Sequence, residues 1–183
     1  MSCSSNSPIR RIFAIAALLL AAAAPALAAT KPQEIAGSIR GAQPYGTGTL
    51  GWFVLTAYDI ALWTDAKQWS YQSPFALALT YHMSFSSSDI VDRSLEEEKH
   101  DNPSISDATL ATYRAMMAGL FPDVKSGDTI IGLYTPGGTV RIFHNGRLTG
   151  QVGDQAFAEA FFGIWLSANS SEPRLRAQLL HMP

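Results

Sequence analysis

Hydrophobic and polar positions fall into blocks along this chain, and the blocks predict an order of elements. From Gly46 to Asp65, GTGTLGWFVLTAYDIALWTD, apolar residues run through Trp52, Phe53, Val54, Leu55, Tyr58, Ile60, Leu62 and Trp63 without a proline. That pattern suits one long or bent strand buried on at least one face. Phe75 to Phe85 then alternates, with Phe75, Leu77, Leu79, Tyr81, Met83 and Phe85 on one side, the period of two of a strand. Ser86, Ser87 and Ser88 offer caps for a helix from Asp89 that ends near His100, ahead of Pro103. Ser106 opens a second helix, with Leu110, Tyr113, Met117 and Leu120 at helical spacing, and Pro122 stops it after Phe121. Three short strands follow, over 129–134, 140–144 and 148–152, joined by a Pro136-Gly137-Gly138 turn and an Asn145-Gly146 turn. Asp154 caps a helix carrying Phe157, Ala160, Phe161 and Ile164 on one face with Trp165 beside it, and Ser171-Glu172-Pro173 starts a closing helix through Leu175, Leu179 and Leu180. Residues 29–45 read as a loose lead-in with at most a short strand near Ile35 to Arg40. Strands, two helices, a strand meander and further helices make an α+β chain, with a largely antiparallel sheet and its helices on one face.

Composition changes this picture at the ends. Arg10 and Arg11, the apolar run from Ile12 to Ala24 and the small residues Ala26-Leu27-Ala28 form a secretory leader, so cleavage is expected after Ala28 and the mature chain is expected in the periplasm. Residues 29–183 then form a single domain. The one cysteine, Cys3, leaves with the leader, which excludes disulfides and thiolate metal sites from the mature chain. The net charge of −2 becomes −4 without the leader's two arginines, a balance that argues against nucleic acid as a partner. No second apolar run approaches the roughly 20 residues of a membrane span.

Motifs for catalysis or cofactors are missing. His82, His100, His144 and His181 are scattered with no metal-ligand spacing, there is no Gly-x-Ser-x-Gly elbow, and the glycines carry no phosphate-loop lysine. No metal and no cofactor is expected. Two polar groupings remain. Arg93 and Glu97 are spaced i, i+4, and Asp59 meets Arg93 if their helix lies over the sheet; a plain surface ion pair is the other reading. Tyr58, Tyr113 and Tyr81 put hydroxyl tips beside Phe161 and Met117, which form either ordinary core or the wall of an apolar ligand pocket.

The ordered set GxG, YDIALWTD, RSLEEE, FPDVKSGD, FHNG, FFGIWL and SEPRLR, from about Gly46 to Leu180, resembles the bacterial exported branch of the chalcone isomerase-like family. The resemblance implies an open-faced sandwich with a ligand cleft between a large antiparallel sheet and a layer of helices. It also implies one of two activities: closing a chalcone to a flavanone by attack of a phenolate on an enone, or binding fatty acids without catalysis. The arginine that catalytic members carry after the second glycine is replaced here, where Gly46-Thr47-Gly48-Thr49 leads to Leu50. Their strand threonine falls on Tyr58, their last hydroxyl residue falls near Ala158, and their helical Tyr and Asn pair is absent unless Tyr113 substitutes. With the catalytic set largely missing, the expected function is binding of a small apolar ligand, a fatty acid or phenolic compound, at Leu50, Tyr58, Tyr113, Met117 and Phe161. Arg40, Arg93 and Arg141 are the candidates to compensate for the missing cation, a choice the sequence leaves open. An enone isomerase using Tyr58 and an envelope interaction module docking through Arg93 to Glu98 are the alternatives.

Overall fold

The computed structural model describes residues 30–183, so the expected leader and its expected cleavage site lie outside the described residues. Six strands form one sheet in chain order: β1 (Gln43–Trp52), β2 (Leu55–Thr64), β3 (Phe75–Tyr81), β4 (Thr129–Thr135), β5 (Thr139–His144) and β6 (Arg147–Gly153). Every neighbouring pair is antiparallel. Helices α1 (Ser87–Asp101) and α2 (Asp107–Met117) connect β3 to β4, and α3 (Gln155–Leu166) and α4 (Pro173–Leu180) follow β6. The result is the expected α+β open sandwich.

The helix starts sit where the hydroxyls and acids predict. Ser86 caps α1 by accepting from the Asp89 amide at 3.1 Å while Asp89 accepts from the Ser86 amide at 3.1 Å, a reciprocal box that satisfies two donors otherwise left open. Ser106 and Asp154 cap α2 and α3 by accepting from the Thr109 and Phe157 amides, without a return bond. The strand predicted from Phe75 to Phe85 stops at Tyr81; Phe85 returns only as an isolated bridge to Val124.

The stretch from Gly46 to Asp65 is not one strand but a hairpin. Phe53 adopts φ 54° and the chain reverses there, pairing Trp52 with Leu55. No Gly, Asn or Asp marks that turn, so its sequence looks continuous. The glycine the reversal requires lies two residues earlier, at Gly51, where a Cβ would strike the Leu55 carbonyl oxygen. The lead-in also differs from expectation. It holds a 3-10 turn at Gln33–Ile35 instead of a strand, and Ile35 and Ile39 are fully buried.

That lead-in gives the sheet a second cover. Ile35, Ile39 and Ala42 pack on Trp63, Ala76, Ile131 and Leu133, which project from the face opposite the helices. On the helix face, Leu62, Phe75, Leu77 and Ile142 meet Phe157, Phe161 and Phe162 of α3 and Leu175 and Leu179 of α4. Gly46 and Gly48 explain how α4 comes down directly onto β1. A Cβ at Gly46 would enter the Leu179 carbonyl, and one at Gly48 would enter the Leu175 side chain.

Candidate functional site

Strand register builds the floor of a cavity on the helix face. Leu50 of β1 lies opposite Tyr58 of β2, and Tyr58 lies opposite Tyr81 of β3, so one rung across three strands supplies an aliphatic group and two phenols. The two tyrosine rings meet edge to face at 5.7 Å between centroids. Leu77, Leu79, Ile130 and Gly132 continue the floor. The missing side chain at Gly132 makes room for α3, since a Cβ there would lie 3.2 Å from Phe162 Cε1 and 3.4 Å from Phe161 Cε1.

Helices close the space from above. Ile90 and Ser94 come from α1, and Phe161, Ile164 and Trp165 from α3, with Phe85 and Phe121 at the side. The volume of this partly open cavity is about 130 Å³. An apolar cavity of about 150 Å³ stays dry and takes a benzene-sized guest, so this one suits a single ring or a short stretch of chain.

One donor is fixed inside this apolar space. The Trp165 indole N–H donates to the Tyr58 hydroxyl oxygen at 3.0 Å, orienting the phenol from across the layers. Burial pushes the Tyr58 hydroxyl well above the ordinary phenol range; the bond from Trp165 opposes that shift, while Tyr81, Glu172 and Glu97 add to it. Burial raises Tyr81 as well. Both groups therefore stay protonated at neutral pH, and Tyr58, already accepting from Trp165, keeps its own proton to donate.

Charged side chains gather at the rim, where Asp89, Arg93, Glu97 and Glu172 border the cavity with Ser171. Arg93 is shared between Glu96, at 3.3 Å, and Glu97. Glu97, nearly buried, also accepts from the Ser171 hydroxyl at 2.6 Å.

The residues singled out in the sequence separate here. Leu50, Tyr58 and Phe161 line the cavity together, and Arg93 and Glu97 stand at its rim. Tyr113 and Met117 do not line it. Both are buried in α2, Tyr113 edge to face on Phe157 at 5.4 Å, and they serve as core behind the wall. Asp59 does not meet Arg93. Neighbouring strand residues point to opposite faces, so Asp59 looks away from the helices, accepting from Thr49 Oγ1 at 2.6 Å and lying 2.8 Å from His82 Nε2. Arg141 also lies on the far side, donating to Ser38 at 2.8 Å. Sequence reading missed Trp165, Ser171 and Glu172 as site residues; the i, i+4 spacing from Phe161 to Trp165 was the one available signal. Among the described residues no group of three or more His, Cys, Asp or Glu gathers as a metal site, and no helix is long and apolar enough to cross a membrane.

Comparison with known proteins bears on the fold. The sequence profile of a family described as chalcone isomerase-like matches residues 43–181. The crystal structure of a fatty-acid binding protein from Arabidopsis thaliana superposes with a TM-score of 0.59 at 11% identity, covering 76% of this chain and 87% of that one. No curated protein matches the sequence.

Proposed function

We propose that this chain, which belongs to the chalcone isomerase-like family, is a binding protein that holds a small apolar ligand between its sheet and its helices. The observation that carries the reading is the cavity of about 130 Å³, lined mainly by apolar side chains with two neutral phenols, one of which Trp165 orients. Leu50, Tyr58 and Phe161 make the contacts, and Leu50, where catalytic relatives are expected to carry arginine, supplies apolar surface instead of charge. The fatty-acid binding protein of similar fold supports an acyl ligand, and the aromatic walls suit a phenolic ring equally well. The leader pattern in residues 1–28 supports export to the periplasm, and the ordered motif set supports a bacterial exported branch of the family.

Native mass spectrometry of the protein purified without detergent, before and after organic extraction, tests this reading. A stoichiometric added mass that extraction removes is expected, with lower occupancy in Tyr58→Phe, whose loss of one hydrogen bond should weaken retention by about 1 kcal/mol. A clean protein that also takes up no added hexan-1-ol would rule the binding role out.

A further inference from the structure

The charges around the rim say which head group the cavity accepts. A free carboxylate needs an available cation, and Arg93 is the one cation bordering this cavity among the described residues. Its guanidinium is already divided between Glu96 and Glu97. Glu97 is nearly buried, so drawing Arg93 away would leave a desolvated carboxylate with only the Ser171 hydroxyl as partner. The Arg93 side chain is 59% exposed, so the cost of separating the pair falls on Glu97, whose carboxylate would lose its cation. Asp89 is occupied as the reciprocal cap of α1, and the Glu172 carboxylate adds a further negative charge with no ion-pair partner among the described residues. The rim therefore counts three carboxylates against one committed guanidinium. Inside, the polar groups on offer are neutral phenols, Tyr81 and the Tyr58 hydroxyl that Trp165 holds at 3.0 Å.

We infer that the ligand enters with an uncharged, hydrogen-bond-accepting head group, such as an acyl ester, alcohol or carbonyl, that receives the Tyr58 proton, and not as a free carboxylate. This rests on the binding reading above and narrows it. Apolar burial of the tail supplies the attraction, and the neutral head avoids both the repulsion of Glu97 and Glu172 and the cost of freeing Arg93.

A matched set of six-carbon probes separates the possibilities: hexan-1-ol, methyl hexanoate, hexanoate and hexylammonium, titrated at pH 7.5 and followed at the Trp165 indole N–H resonance, assigned with Trp165→Phe. The alcohol and the ester should bind at least about tenfold more tightly than hexanoate. Glu97→Gln releases Arg93 and should narrow the ratio between hexanol and hexanoate by about tenfold; Glu172→Gln, at a more exposed position, should narrow it by a smaller factor. Hexanoate binding as well as hexanol in the unmodified protein, hexylammonium binding best, or ratios unchanged in both variants would each overturn the assignment. If none of the four moves the Trp165 resonance, the binding reading itself fails, and the two failures are thereby distinguishable.

Discussion

Tyr58 and Asp59 are consecutive on β2 yet belong to different solvents. Tyr58 faces the helices, where exclusion of water holds its phenol neutral. Asp59 faces outward, where partial desolvation is outweighed by hydrogen bonds from Thr49 and His82 and by the charge of the latter, so its carboxyl sits below the ordinary range. The contrast extends to a second carboxylate. Glu98, on α1 and 2% exposed, has no hydrogen-bond partner for either oxygen, and burial pushes its carboxyl up to about 8. The sheet thus separates a side whose dry interior discharges Glu98 and leaves charged groups only at its rim from an outer side where Asp59 keeps its charge. A ligand on the first side meets the same selection.

Glu98 offers the largest test of that division. Its folded carboxyl holds a proton that the unfolded one releases near 4.5, so folding is weakened as pH rises from about 4.5 and the loss is complete above about 8. At roughly 1.4 kcal/mol per pH unit the full loss reaches about 5 kcal/mol. Glu98→Gln should abolish this slope in urea unfolding measured from pH 5 to 9. Equal slopes in both proteins would mean that Glu98 finds solvent or a partner, and the helix side would lose its claim to being dry.

Much of the helix layer is legible in the sequence alone. Ser86, Ser106 and Asp154 announce their helices because a cap is a local device, and Asn145-Gly146 announces its hairpin for the same reason. The division between the faces was not. Glu96, Glu97 and Glu98 read as one charged run, and only the packing of α1 exposes the first and buries the other two. Pairing Asp59 with Arg93 failed because Tyr58 and Asp59 are neighbours on one strand and cannot share a face. Once Phe53 turns the chain, Tyr58 faces inward and Asp59 cannot. The rung of Leu50, Tyr58 and Tyr81 depends on register across three strands, which no local pattern reveals.

The closeness of the two layers gives the next test. Gly46 lets β1 touch the backbone of α4, and a carbonyl cannot swing aside as a side-chain tip can. Gly46→Ala should cost about 3 kcal/mol in denaturant unfolding. It should also loosen the segment carrying Ser171 and Glu172, seen as faster amide exchange there than in β3. If stability is unchanged, α4 is not seated on β1, and the cavity rim is less fixed than described.

The smallest effect belongs to the outward side. His82→Gln removes one of the two partners that hold the Asp59 carboxyl down. Asp59 contributes stability above the ordinary carboxylate pKa of 3.8 and loses it as pH falls through its lowered folded value. The variant should bring the Asp59 titration, followed by carboxyl carbon NMR, back toward its ordinary range. Its stability near pH 7 should change by no more than about 0.5 kcal/mol, as expected for an exposed pair. Probe binding at Trp165 should not move with it, since the sheet stands between His82 and the cavity. A change in hexanol affinity in His82→Gln would show that charge on the outer face is felt inside, and the two faces would then have to be treated as one electrostatic unit.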